Sequence, residues 1–206
     1  CLPAQVLSND YFPRTANSNW SYELDDVALD SFYLKAIAPT LSAGVNTYNI
    51  FMGDDGTGLD SSGYYRKNGA DYFQWFDVGD FIGFDNPLWV EYVFLKDNVP
   101  TTTNWKSAGF TGTFTVAPNP PQSVTYRFSY TIADKDVSLS LTTSTGVKSH
   151  VNVISVKEEY EQLAGGTWLP ITSAVGYGKS YYARGIGLIK YEIFDGSGAL
   201  VGQQEL

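Results

Sequence analysis

The sequence predicts a mostly β protein: a single antiparallel, curved sheet, arranged as a half-barrel or an open barrel or sandwich, with little helix. Three observations lead there. Apolar residues recur at every second position in several runs, which suits strands with one buried face. Aromatic residues make up 16% of the 206 residues, as 15 Tyr, 12 Phe and 5 Trp, and flat rings pack well on a pleated surface. Breakers such as "GDDGTGLDSSG" and "APNPPQ" cut the chain into short runs. A chain this long buries roughly 70% of its unfolded surface, so a core can hold it together without disulfide or metal. No apolar run approaches the ~20 residues that a membrane-crossing helix needs.

Strands are expected at Trp20 to Leu24, Ser31 to Ile37, Thr47 to Met52, Leu88 to Leu95, Gly112 to Val116 and Val151 to Lys157. The stretch from Val27 to Leu41 also fits a helix broken before Pro39. In "YYRKNGADYFQWF", Asn68-Gly69 tolerates the positive φ angles of a type I′ turn, and strand-like residues flank it, which reads as a hairpin. Leu88 to Leu95 is apolar on both faces and should be central or covered. In Thr125 to Ile132, Tyr126, Phe128, Tyr130 and Ile132 share one side. Val137, Leu139 and Leu141 repeat the pattern, and Asp134-Lys135-Asp136 between them reads as the turn of a second hairpin. Glu158 to Leu163 is assigned one helical turn after its strand. A last hairpin pairs "LIKYEIFD" with "ALVGQQEL" around Gly196-Ser197-Gly198. No long linker or fixed-period repeat divides the chain. Residues 1–10 read as a tether and 11–206 as a single β-rich domain.

The formal net charge of −9 repels phosphate backbones, so nucleic acid is not an expected partner. Gly185-Ile186-Gly187 is not a phosphate loop, because an alternating strand follows it where a helix N-terminus would be required. The two glycines are read as a bulge or tight bend. His150 is the only histidine. Adjacent Ser149 points to the opposite face of a strand, so the two do not form a nucleophile and base, and His150 is read as a surface or strand-end residue. One His and one Cys leave a zinc site without its usual ligands, and no cofactor is expected. Asp54, Asp55 and Asp60 in one Gly-rich loop are a weak calcium candidate; Asp77, Asp80 and Asp85 form a second acidic group. Neither follows the EF-hand pattern, and solvated loop acids also explain them. The candidate binding surface is the hairpin carrying Tyr64, Tyr65, Tyr72, Phe73, Trp75 and Phe76, with rings on both faces.

Cys1 is the sole cysteine, so no disulfide forms within the chain. Its position resembles the mature end of a bacterial lipoprotein, where cleavage of a signal peptide precedes the cysteine that carries the acyl chains. "YFPRTANSNWSYEL" (Tyr11 to Leu24) resembles the start of a group of uncharacterised envelope lipoproteins of Gram-negative bacteria, in which Tyr-Phe-Pro precedes a Trp-x-Tyr strand. "YYARGIGLIKYE" (Tyr181 to Glu192) is similar to that group's C-terminal segment. The resemblance implies a half-barrel sheet similar to the periplasmic lipoprotein carriers, which hold acyl chains in a concave face. This chain departs from them in lacking long helices. The expected role is a non-enzymatic envelope lipoprotein, held to the membrane through lipidated Cys1 at the outer membrane, facing the periplasm or surface, and binding an apolar ligand or an envelope protein. The alternatives are a glycan-binding β module with calcium at Asp54 to Asp60, and a carboxylate-based hydrolase.

Overall fold

A computed structural model describes residues 9–25 and 27–206. Cys1 and the tether as far as residue 8 lie outside the described residues. The elements run β1 (Asn19–Leu24), β2 (Val27–Ala43), β3 (Asn46–Asp54), β4 (Asp60–Asn68), β5 (Asp71–Asp77), α1 (Val78–Ile82), β6 (Trp89–Lys96), β7 (Asn104–Lys106), β8 (Phe110–Phe114), β9 (Gln122–Thr143), β10 (Gly146–Ala164), β11 (Thr167–Pro170), α2 (Thr172–Val175), β12 (Tyr177–Ala183), β13 (Gly187–Phe194) and β14 (Leu200–Glu205). All fourteen strands belong to one antiparallel sheet, ordered β6-β5-β4-β3-β2-β1-β14-β13-β12-β10-β9-β7, with β11 beside β10 and β8 beside β9. The sheet curls until its two ends approach, giving a nearly closed barrel.

The expected mostly β class and the terminal hairpin are observed. The Asn68 hairpin is also present, but its turn lies one residue later. Asn68 pairs with Asp71, so Gly69 and Ala70 are the central residues and only Gly69 has positive φ (59°). That replaces the expected type I′ turn, which needs positive φ at both central positions. The segment from Val27 onward is strand, not helix. Pro39 falls where the β2–β3 register slips between Ala36 and Thr40, a place where a missing amide hydrogen costs no ladder bond.

Two other expectations are corrected around β9 and β10. Asp134-Lys135-Asp136 does not reverse the chain, because β9 continues through it for 22 residues. The pairing slips instead between His150 and Val156, with positive φ at Asp136 (55°) and Asn152 (54°), so the two long strands bend together around the barrel. The three charged residues are engaged on this bend: Asp134 accepts from Ser155 Oγ at 2.6 Å, Lys135 Nζ donates to the carbonyls of Asp97 and Val99 at 3.0 and 2.9 Å, and Asp136 pairs with Arg184 at 3.5 Å. Glu158 to Leu163 does not turn helical either. It pairs with β9 on one side and, from Glu161 onward, with β11 on the other, and two ladders outweigh a local helical preference.

Strand β6 sits at the end of the sheet rather than in its centre. Its inner face is nevertheless covered, because Tyr92 packs against Phe128 and Tyr130 of β9 with ring centroids 4.7 and 6.1 Å apart. Trp105 of β7 reaches across the seam and donates its indole N–H to Val93 O at 2.7 Å.

The barrel interior is filled with rings. The segment before β1 enters it, burying Tyr11 and Phe12. Phe12 contacts Phe51 of β3, Tyr65 of β4, Phe94 of β6 and Tyr182 of β12 with centroids 4.8 to 6.2 Å apart. Replacing Phe12 with Ala is expected to destabilise the protein by about 3–5 kcal/mol, whereas Val45→Ala in the fully exposed β2–β3 turn stays within about 0.5 kcal/mol. Urea unfolding of the two variants measures the contrast.

Candidate functional site

Alternation divides the aromatic hairpin between two environments. Tyr65, Tyr72 and Phe76 face inward and join the core. Tyr64, Phe73 and Trp75 face outward. Trp75 packs at a tilt against Trp89 of β6 with ring centroids 4.5 Å apart, with Tyr64 and Tyr48 at 5.6 and 5.9 Å. The candidate surface predicted on this hairpin is therefore half core and half outer cluster. The cluster also includes Trp89, which the apolar run of β6 gave every reason to bury and which is 44% exposed.

An ion pair fixes the cluster from one side. Arg66 Nε and Nη2 meet Glu91 Oε1 and Oε2 at 2.5 and 2.7 Å, with the guanidinium stacked on Phe73 at 3.8 Å. Tyr48 and Asn46 donate to the same carboxylate. Partial burial opposes the charge on Glu91, but these donors together hold its carboxyl below the usual range.

On the other side, α1 and the loop to β6 form the wall of a groove of about 580 Å³ that also takes in Tyr64, Trp75 and Trp89. Asp77 pins that wall. Its Oδ1 accepts from the amides of Gly79, Asp80 and Leu88 at 2.9, 3.3 and 2.7 Å. Asp85 is similarly engaged with the amide and hydroxyl of Thr115 at 3.0 and 2.7 Å. The second acidic group is thus mostly structural, while Asp80 is exposed on the groove. Asp54, Asp55 and Asp60 each accept from amides of their own loop. No group of three or more His, Cys, Asp or Glu among the described residues is arranged to hold a metal ion.

The second arrangement lies inside the barrel. Glu158 follows Ile154 and Val156 on the inward face of β10, opposite Tyr130 of β9 and Gly178 of β12. Tyr130 lies directly across the ladder from it and Tyr160 donates to it, and the phenols of Tyr92, Tyr182 and Tyr191 lie within electrostatic reach. A Cβ at residue 178 would stand 2.5 Å from the Tyr191 hydroxyl, so glycine there is what lets that phenol lie beside Glu158. Burial, only slightly offset by a 3.4 Å hydrogen bond from Tyr160, raises the Glu158 carboxyl to about 7. Nearby, Tyr160 also lines a cavity of about 380 Å³ at one mouth of the barrel, with Phe81, Ile82, Phe114, Tyr126, Ile171 and Val175. Period-two reading continued past Lys157 would have put Glu158 on the apolar face; the helical reading of that stretch hid it.

The two segments that carried the family resemblance meet in space. Gly185 N donates to Asp10 O at 2.7 Å, Trp20 Nε1 to Ile186 O at 2.6 Å and Tyr22 Oη to Leu188 O at 3.0 Å. Gly185 and Gly187, with φ of 76° and 112°, form the tight turn between β12 and β13, and this turn clasps the inserted N-terminal segment. His150 is not at the surface but buried, with Nε2 unpartnered. Burial first, and Lys148 second, lower its pKa. Ser149 instead meets Ser140 at 3.0 Å.

Glu158 makes a definite contribution to pH dependence. Its proton is held to about pH 7 in the fold but is lost near 4.5 in the unfolded chain. Between those values the folded state binds the extra proton, so this residue makes stability fall as pH rises from about 4.5 to about 7, and not further. Glu91, Glu161 and Asp134, held below the ordinary range, act only at lower pH. His150, whose pKa burial lowers, contributes the opposite slope below about pH 6.5, so the readout is the difference in melting temperature between wild type and Glu158→Gln, which should move against wild type as pH rises from 4.5 to 7 and level off by pH 8.

No protein-family model matches the chain, and no curated protein matches it. Similar solved structures include a "putative lipoprotein" from Parabacteroides distasonis, 12% identical with a TM-score of 0.46, matched over 96% of this chain and 97% of its own. A "putative exported protein with YmcC-like fold" from Bacteroides fragilis is 14% identical with a TM-score of 0.42, over 95% of this chain and 96% of its own.

Proposed function

We propose that the protein is a non-enzymatic binding protein of the bacterial envelope, held to the membrane through Cys1, and that the groove beside Trp75 and Trp89 is its ligand site, for glycan rings. The observation that carries the ligand reading is the outward aromatic cluster. Trp89 presents a ring to solvent from a strand whose apolar side chains otherwise pack, and it is backed at 4.5 Å by Trp75, which cannot retreat into the filled interior. Flat rings offer the C–H faces of a sugar a stacking surface, while Asp80, Ser62 and Asn86 along the same groove supply polar atoms for its hydroxyls. The acids at Asp54, Asp55 and Asp60 are engaged by their own loop, so this reading needs no calcium.

An acyl chain lying along the concave face is less well supported, because Phe12, Phe51, Tyr65, Phe94 and Tyr182 occupy that space. Titration calorimetry against a panel of envelope oligosaccharides is expected to give saturable heat for at least one member. Trp89→Ala should weaken that binding at least about tenfold while leaving the fold intact, since the side chain is partly exposed and its loss empties no core site. No heat from any glycan overturns the reading. For the anchor, the N-terminal peptide of protein made in its native host should carry acyl chains on Cys1; an unmodified thiol there overturns that part.

A further inference from the structure

We propose a second binding site, inside the barrel, for an amphiphilic amine: its ammonium group meets the Glu158 carboxylate within the ring of tyrosines, and its apolar chain lies in the mouth cavity against Phe81, Ile82, Phe114 and Tyr126.

Glu158 is a carboxyl group in a barrel core, and a core charge is normally matched by a cation or replaced by an apolar residue. Other partly buried acids are matched either by cations, as Glu91 is by Arg66, Glu161 by Arg127 and Lys106, and Glu205 by Lys190, or by backbone amides, as Glu23, Asp54, Asp77 and Asp195 are. Glu158 has no ion-pair partner among the described residues, and its single protein hydrogen bond is the 3.4 Å contact from Tyr160, near the limit of a useful one. The lysine next to it in sequence points the other way, pairing with Glu159 at 2.8 Å and lying over Tyr177 at 4.3 Å.

The surroundings fit an ammonium group. Tyr130 of β9 pairs across from Glu158, Tyr160 of β10 donates to it, and the Tyr191 hydroxyl of β13 lies over Gly178, its partner on β12; the phenols of Tyr92 and Tyr182 lie within electrostatic reach. Electron-rich rings with hydroxyl oxygens attract a desolvated cation from several sides. One of those hydroxyls, on Tyr130, a residue only 1% exposed, is buried without a partner among the described residues. A buried hydroxyl left unsatisfied is costly, and an ammonium donating to it removes the cost.

The apolar half of the ligand follows from where Tyr160 sits. Its hydroxyl reaches Glu158, and its ring lines the mouth cavity. The polar and apolar compartments are therefore one side chain apart. The cavity's lining has no charged group, and Phe81 and Val175 are more than half exposed at its rim, which leaves an entry open from outside. Its volume of about 380 Å³ suits a chain of modest length. The protein's net charge of −9 attracts a cationic ligand from solution and opposes a fatty acid.

The test uses octylammonium chloride as the probe, titrated by calorimetry into the protein at pH 8, with octanol and octanoate as chain-matched controls. Saturable binding of octylammonium, at least about tenfold tighter than either control, is expected. Because the ammonium binds the ionised carboxyl, acidification to pH 5.5 should weaken it by more than about tenfold. Glu158→Gln should bind the amine as weakly as wild type binds octanol and show no pH dependence. Tyr130→Phe, which removes only the unpartnered hydroxyl, is expected to fold normally and weaken amine binding several-fold. The proposal is overturned if octylammonium gives no saturable heat at pH 8, if its affinity does not change with pH, or if Glu158→Gln binds it equally well.

Discussion

A sheet whose main path runs through twelve strands encloses more volume than its own inward side chains must be trusted to fill, and here the chain supplies the rest from before its first strand. Phe12 touches rings from both halves of the barrel, and Tyr11 is held by the Tyr72 hydroxyl, which accepts its amide at 3.1 Å. Without that insertion the barrel would either collapse inward or hold an apolar void. The arrangement depends in turn on the β12–β13 turn, whose backbone accepts from Trp20 and donates to Asp10. Gly187 lies under Trp20 and Pro13 with φ of 112°, a left-handed conformation that glycine adopts without the strain of a Cβ.

This packing explains why both candidate sites lie where they do. Rings fill most of the middle of the barrel, so the larger open spaces among the described residues lie outside the wall and at its mouth. The outer groove is built where β6, lacking a full neighbour on one side, lets α1 and its loop stand away from the sheet. The mouth cavity lies where β9 and β10 outrun the strands beside them. Interior hydroxyls are mostly satisfied: Tyr92 donates to Gln74 Oε1 at 2.8 Å, and Gln74 Nε2 donates to Tyr65 Oη at 3.3 Å. Against that background a carboxyl without a cation and a phenol without a partner stand out as places where protein–protein complementarity was left incomplete.

The seam between β6 and β7 is closed by side chains rather than by a ladder. The Trp105 indole, the Lys135 ammonium and the stacked rings of Tyr92 and Tyr130 bridge it.

Local pattern was sufficient for the β class, the antiparallel hairpins at Asn68 and Gly196, and the inward set on β9, because alternation and turn chemistry are properties of neighbouring residues. It also sufficed to reject a phosphate loop at Gly185, since a strand visibly follows. It was not sufficient where long-range pairing overrode local preference. Asp134-Lys135-Asp136 has the composition of a turn, yet ladders on either side carry the strand through it as a bulge. Glu158 to Leu163 has the composition of a helical turn, yet β9 and β11 claim its backbone. Which hairpin rings face out, the exposure of Trp89, and the gathering of five phenols around Glu158 depend on how a curved sheet brings distant strands together. Neighbouring residues set most of the strands and which side chains share a face; closure of the barrel set which of those faces became a core, a groove or a chamber, because that follows from curvature and contact across the lumen and not from any stretch of chain alone.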